Sequence, residues 1–261
     1  MSTPHVVRTQ DGPVAVITFN RPEARNAMTW PMYDALVEEC EQIERADDVR
    51  VVVLRGAGSK AFVAGTDIAQ FRTFRTAEDG VRYEQRIDSV VDRLERLAKP
   101  TIAAIDGVTT GGGCALAAAC DLRICTTRSR FGVPIARTLG NCLSASNHAR
   151  FLDLIGPARL KELLFTGRLL PAAEAADAGL VNRVVEPDRL DAVVREYAET
   201  MAANAPLTIR ASKEMIRRIQ AHRRTDPALG RDLIITCYTS ADFHEGVDAF
   251  LAKRAPRWTG T

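Results

Sequence analysis

Apolar positions recur along this chain in two rhythms, one of strands and one of helices. Val6–Thr9 and Val14–Phe19 are short β-branched runs parted by Asp11-Gly12, which predicts a hairpin. Thr29 is placed to cap a helix that has Pro31 near its start and runs to about Arg45. In it Met32, Leu36, Val37, Cys40 and Ile43 recur at helical spacing. Val49–Leu54 is an unbroken apolar run bounded by charges and Gly56, the mark of a strand buried on both faces. A longer helix, about Ala77 to Ala98, carries Val81, Ile87, Val90, Val91, Leu94 and Leu97 on one side. Thr101–Ile105 and Leu122–Thr126 read as strands, and Ser129–Pro134 as a turn or extended segment. Helices then follow over about Ser144–Ile155, Leu160–Thr166, Ala172–Ala178, Arg189–Ala202, Leu207–Ala221 and Ala228–Ala252, interrupted by one strand near Leu180–Val185. Strands alternating with helices and then yielding to helices alone predict an α/β core over residues 1–200 and a helical C-terminal region over 201–261. A loose ββα recurrence in the first two thirds points to a spiral.

Composition narrows the classes without naming a chemistry. The 261 residues are 46% apolar and 26% charged, ordinary for a globular chain able to bury a sizeable core. A net charge of +2 gives no reason to expect nucleic acid. The start, MSTPHVVRTQ, lacks an apolar signal core, and no run approaches the ~20 apolar residues of a membrane span. Cysteines 40, 114, 120, 125, 142 and 237 lie scattered, mostly inside apolar runs and without metal-ligand spacing, so they read as reduced thiols of a cytoplasmic protein. Four widely separated histidines make a zinc site improbable, and no metal or separate cofactor is expected.

The chemistry concentrates in three places. Lys99–Asp121, KPTIAAIDGVTTGGGCALAAACD, leads a short strand through Asp106-Gly107 into Gly111-Gly112-Gly113 and then a segment of small residues. Glycines opening a helix leave its first N–H groups unobstructed at the positive end of the dipole, a place suited to a phosphate, a carboxylate or a developing oxyanion. The same glycines could serve only close packing. In Ser59–Phe71, SKAFVAGTDIAQF, Gly65 interrupts an apolar segment where Thr66-Asp67 could begin a helix. Asn20–Thr29, NRPEARNAMT, is rich in turn formers and too polar for core. TTGGGC lacks the G-x-G-x-x-G spacing of a dinucleotide site, and no Gly-x-Ser-x-Gly elbow marks a serine hydrolase.

NRPEARNAMT, KAFVAGTDI, the strand into GGGCALAAACD and SRFGVP occur in this order and at a spacing that resembles the crotonase family, the enoyl-CoA hydratase/isomerase superfamily. The resemblance continues through FTGRLLPAAEAADAGLVNRVV and EGVDAFLAKR, and so covers nearly the whole chain. It implies a spiral of ββα turns, a C-terminal helical region used in assembling a homotrimer or a dimer of trimers, and an acyl-CoA thioester as ligand, coenzyme A being part of the substrate. It implies that a thioester enolate is held by two backbone N–H groups, those of Thr66 and Gly112. Around them it places Ala64, whose carbonyl would accept from the adenine amino group, with Gly65 and Gly111. Ala24 to Ala27 would border the CoA chain, Arg25 lying near its phosphates, and Asp67 and Ile68 would begin a helix beside the pocket. Lys253 and Arg254 would meet nucleotide phosphates, those of a neighbouring subunit. Pro134, Ile135 and Thr138 would complete the acyl wall. For Asp67 a capping carboxylate is the alternative, and for the basic residues a solvated charge.

Two positions depart from the pattern. A hydratase of this family uses one glutamate after the glycine run and another after the proline of an FGxPE-like segment, to activate water and move a proton. Here those positions are Ala115 and Ile135, neither able to move a proton. The segment after Ile135 is polar for a pocket wall: Arg137, Thr138, Asn141, Cys142, Ser144, Asn147 and His148. Glu84 lies one turn from Ile87 and two from Val91, beside the apolar face, with Asp88 a turn further on. A carboxylate so placed has a raised pKa and can serve as acid or base, though a surface charge has the same sequence signature. His148 reads as a weaker candidate, and Cys142 as a small core residue without a base partner. Two functions follow: an enolate-forming acyl-CoA enzyme that does not use the two-glutamate route, or a catalytically silent acyl-CoA-binding or scaffold member of the family.

Overall fold

Two sheets wound into one spiral organise the chain. The computed structural model describes residues 4–223 and 229–261. Its strands are β1 (Val6–Asp11), β2 (Val14–Phe19), β3 (Val51–Gly56), β4 (Ala61–Val63), β5 (Thr101–Ile105), β6 (Val108–Thr110), β7 (Leu122–Thr126), β8 (Arg130–Gly132), β9 (Leu170–Pro171) and β10 (Arg183–Val185). Its helices are α1 (Trp30–Arg45), α2 (Ala77–Glu95), α3 (Gly112–Ala119), α4 (Ile135–Thr138), α5 (Ala145–Thr166), α6 (Ala172–Asp177), α7 (Leu190–Ala203), α8 (Pro206–Arg223), α9 (Arg231–Tyr238) and α10 (Ala241–Leu251).

The larger sheet runs β1-β2-β3-β5-β7-β10, with the β1–β2 hairpin antiparallel and every later pairing parallel. The smaller runs β4-β6-β8-β9, parallel until β9 pairs back antiparallel on β8. β3, β5 and β7 alternate along the chain with β4, β6 and β8, so each turn of the spiral gives one strand to each sheet before its helix. This is the ββα spiral that the sequence suggests. β4, β6 and β9 have no counterpart in the hydrophobic pattern because two or three residues are too few to show a period. β8 falls inside the segment read as a turn or extended.

The apolar run of β3 is buried on both faces, as its pattern predicts. Val52 and Leu54 enter the main core, whereas Val51 and Val53 join Ile102, Ala104 and Ile124 against Leu190, Val194, Ala198 and Ala202 of α7. Sheet and α7 thus form a rigid back, and the site lies on the other side.

Three helix ends differ from expectation. Thr29 holds the N-cap position of α1 but its side chain makes no capping bond; the Trp30 N–H donates instead to Gln70 Oε1 at 2.8 Å. Ser144–Ile155 and Leu160–Thr166 join as α5 across a kink at Gly156-Pro157, where Gly156 has φ 68° and ψ 170°. The helix expected over Ala228–Ala252, whose first residue lies outside the described residues, is divided at Thr239-Ser240, with Ser240 capping α10 through the Phe243 N–H at 3.0 Å. That break lets α9 lie along α2 while α10 turns onto the single-turn segment Ile68–Thr73 and α4. Gly80 on α2 makes room, since a Cβ there would lie 2.4 Å from Tyr238 Cγ.

Candidate active site

The polar loop Asn20–Thr29 is fixed by the buried Asn26 side chain as well as by Met28 in the core. Asn26 is fully buried with φ 56°. Its Oδ1 accepts from the Arg21 N–H at 3.0 Å, and its Nδ2 donates to Ala57 O at 3.0 Å and Ala61 O at 2.8 Å. The loop is thereby tied against the start of β4 and the turn before it. The Ala64 N–H donates to Arg25 O, the Met28 N–H to Gly65 O and the Asp67 N–H to Met28 O. In this parallel bridge centred on Thr66, Gly65 O and the Asp67 N–H face Met28, so the Thr66 N–H points the other way. Gly65 reaches the arrangement with φ 92°, a left-handed value that favours glycine.

Opposite this loop is the start of α3. Gly112 is its first residue and therefore has no partner for its N–H within the helix. A Cβ on Gly112 would lie 2.9 Å from Tyr33 Oη, 3.5 Å from Thr66 Oγ1 and 3.9 Å from Thr66 N, so Thr66 and the start of α3 meet at one corner. Gly113 permits the approach, because a Cβ there would fall 2.1 Å from Val63 O. The close packing that the sequence allows for these glycines is met at Gly113.

The corner opens into a cleft of about 710 Å³. Ala24, Arg25, Ala27, Ala64, Gly65, Thr66, Asp67, Ile68, Glu84, Gly111, Gly112, Pro134, Ile135, Thr138 and Lys253, the residues singled out in the sequence, all lie on its wall. Ala115 and Ile135 line it too, so both departures from the glutamate pattern fall where a substrate would sit. Lys253, expected to serve a neighbouring copy, stands at the mouth of its own chain's cleft because α10 folds back over it. Arg254 is not on the wall and pairs with Glu245 at 2.6 Å. Arg25, Arg137 and Lys253 are exposed cations at the rim. The Asp67 carboxylate is already committed, accepting from Arg21 at 2.7 Å and capping the Ala69 N–H at 3.1 Å.

Glu84 is the buried carboxylate of the wall, 3% exposed. Tyr238 on α9 donates to its Oε1 at 2.6 Å, and the Ser144 N–H donates to its Oε2 at 2.9 Å. Burial pushes its pKa up to about 8; the Tyr238 and Ser144 hydrogen bonds oppose the rise and the nearby Asp88 charge adds to it. Asp88, also raised by burial, accepts from Ser144 Oγ at 2.6 Å and Asn147 Nδ2 at 3.2 Å. Beyond it the buried Arg150 contacts Asp92 and, at 3.3 Å, Glu95. Of the polar segment after Ile135, Arg137, Thr138, Asn141 and Asn147 line the cleft. Cys142, Ser144 and His148 stand behind it: the Cys142 thiol bonds Leu143 O, and His148 Nδ1 lies 3.0 Å from Ser144 O.

Hydrophobic patterning gave no sign of three tyrosines that complete the site. Tyr33 and Tyr83 each place a hydroxyl 2.8 Å from Thr66 Oγ1, while Tyr238 joins Glu84 to Asn141, whose Nδ2 donates to the phenol oxygen at 3.0 Å. No group of three or more His, Cys, Asp and Glu side chains among the described residues could hold a metal ion. No helix of the described residues is long and apolar enough to cross a membrane.

Comparison with known proteins decides the family. The Enoyl-CoA hydratase/isomerase family model matches residues 9–261. The chain belongs to the crotonase family. This crotonase is 37% identical over 255 residues to the short-chain-enoyl-CoA hydratase of Clostridium acetobutylicum, covering 97% of both chains. Among solved structures it resembles an enoyl-CoA hydratase/carnithine racemase of Magnetospirillum magneticum at 38% identity and a TM-score of 0.81, covering 100% of this chain and 97% of that one. A methylmalonyl-CoA decarboxylase in complex with 2-nitronate-propionyl-CoA overlays at a TM-score of 0.91 with 27% identity, both chains covered fully. It is an acyl-CoA enzyme of the lyase/isomerase class, its reaction unassigned within that class.

Proposed function

We propose that this crotonase binds an acyl-CoA with its thioester oxygen between the Thr66 and Gly112 N–H groups and forms an enolate there. What supports this reading is that Thr66 and Gly112 both line the cleft and that a Cβ built on Gly112 would lie 3.9 Å from Thr66 N. An oxyanion so placed gains from preorganised donors and from the α3 dipole as negative charge grows. The rim cations Arg25, Arg137 and Lys253 suit the phosphates of the CoA nucleotide.

Glu84 is the proton carrier of this reading. With a pKa of about 8 it holds its proton near neutrality, so it acts first as an acid toward an enolate carbon. An enolate made by decarboxylation, in which carbon dioxide leaves and the bonding pair stays on the α-carbon, needs only such an acid to finish. Hydration needs a base and an activated water, and Ala115 and Ile135 supply neither. The overlay with a methylmalonyl-CoA decarboxylase supports this ordering. Asp67, Ile68, Ala24, Ala27, Pro134 and Thr138 shape the walls. The helical region supports a homotrimer or a dimer of trimers, by resemblance.

A second reading, a silent acyl-CoA-binding member, draws on the same Ala115 and Ile135. Turnover of methylmalonyl-CoA, crotonyl-CoA and a 3-hydroxyacyl-CoA panel separates the two. Release of product from at least one, lost in Glu84→Gln, supports the enzyme. Tight binding with no turnover, unchanged by Glu84→Gln, supports the binding protein.

A further inference from the structure

Thr66 has a side-chain arrangement that its main-chain role does not use. Its Oγ1 lies 2.8 Å from Tyr33 Oη and 2.8 Å from Tyr83 Oη. Three hydroxyls carry three protons, and the two contacts consume two of them. The third proton sits on whichever hydroxyl has somewhere to send it, because a buried donor without an acceptor is disfavoured. Tyr33 is fully buried, and among the described residues its hydroxyl has Thr66 as partner. Thr66 also lines the cleft, but its Oγ1 already lies between both phenols. Tyr83, unlike Tyr33, lies on the cleft wall. Burial therefore orients the chain: Tyr33 donates to Thr66, Thr66 donates to Tyr83, and the phenol proton of Tyr83 is left facing the cleft.

The ring that carries this proton is held on several sides. Phe71 meets Tyr83 edge-on at a centroid distance of 4.8 Å, with Trp30 at 5.7 Å, Tyr238 at 5.9 Å and Phe74 at 6.0 Å. A donor fixed by four rings and one hydrogen bond is preorganised. We propose that Tyr83 is a third donor of the site, binding an acceptor oxygen that the acyl chain carries beyond its thioester carbonyl. The assignment rests on the reading that the Thr66 and Gly112 N–H groups take the thioester oxygen, whose two lone pairs they match. The substrate class is then acyl-CoAs with an oxygen on the carbons next to the thioester, as 3-oxo, 3-hydroxy or α-carboxyl groups, and not plain saturated chains. Burial keeps the phenol far above its ordinary titration range, so Tyr83 remains a donor at every working pH.

Calorimetric affinities for butyryl-CoA and acetoacetyl-CoA, which differ by a C3 oxygen, test this on the full chain. The native protein binds acetoacetyl-CoA about tenfold or more tighter. Tyr83→Phe brings the two ligands within about twofold of each other, chiefly by weakening acetoacetyl-CoA, with butyryl-CoA affinity as the internal check that the cleft is intact. Thr66→Val, which keeps the main-chain N–H but cuts the chain of hydroxyls, loses the preference as well, and Thr66→Ser restores it. A preference that survives Tyr83→Phe overturns the proposal, as does a parallel loss for both ligands. Native protein that binds neither CoA ester overturns the underlying site reading along with it, a result distinct from the other two.

Discussion

At Glu84 a carboxylate sits in a wall of rings, its two oxygens held by a phenol from α9 and a main-chain N–H before α5. Its folded pKa of about 8 lies above the ~4.3 of an unfolded glutamate, so the folded chain keeps a proton that the unfolded chain releases between those values. The stability this contributes is complete below about pH 4 and shrinks on the order of 1 kcal/mol per pH unit as pH rises toward 8. Denaturant melts at pH 5 and pH 8 check it: the native chain weakens across that interval by more than Glu84→Gln does. Equal slopes would remove the burial argument. The rate should fall through the same pKa, turnover declining above about pH 8 as the acid loses its proton. Sequence placed Glu84 beside the apolar face of its helix, which was enough to expect a raised pKa. It could not show what holds the carboxylate, because Tyr238 is 154 residues away and Ser144 is 60.

Among the elements, α2 is legible from its apolar side, but the way it meets α9 is not. The signal was present as Gly80, a glycine inside a helix with no turn to make. The structure explains it, since any Cβ at that position runs into the Tyr238 side chain. Gly80→Ala gains helix propensity of about 1 kcal/mol in isolation. Here overpacking should outweigh the gain and destabilise the chain by about 1–3 kcal/mol, read as a lower denaturation midpoint. The same change should shift Tyr238 off Glu84 and so move the pH profile of turnover, a readout that a purely local strain would leave in place. A variant as stable as the native chain with an unmoved profile would contradict this packing. The loops tell the opposite story. NRPEARNAMT and VAGTD are ordered by hydrogen bonds from Asn26 and by a one-residue bridge, which no periodicity reveals; their recognisable residue order made them readable. Strands of two or three residues, β6 and β9 for example, escape both kinds of signal.

For the molecule as a whole, the winding of two sheets brings residues from four separate stretches to one cleft, and the fold-back of α10 closes it from the same chain. Residues near positions 25, 66 and 112 meet there, as the family resemblance led one to expect, and Lys253 of the same chain joins them. The departures at Ala115 and Ile135 are equally legible and sit on the same wall. What the sequence leaves out is the interior polar framework: nothing in the spacing of Tyr33, Tyr83 and Tyr238 marks their hydroxyls, whose partners are set only by the packing of α1, α2 and α9. The proposed chemistry requires that the Thr66 and Gly112 N–H groups polarise a thioester carbonyl. Butyryl-CoA labelled with ¹³C at that carbonyl reports on it directly by NMR. The bound resonance is expected downfield of its position in water, and Gly112→Pro, which keeps a residue tolerated at a helix start but removes the N–H, is expected to cancel much of that shift. A bound carbonyl resonating as it does in water, or one indifferent to Gly112→Pro, would contradict it.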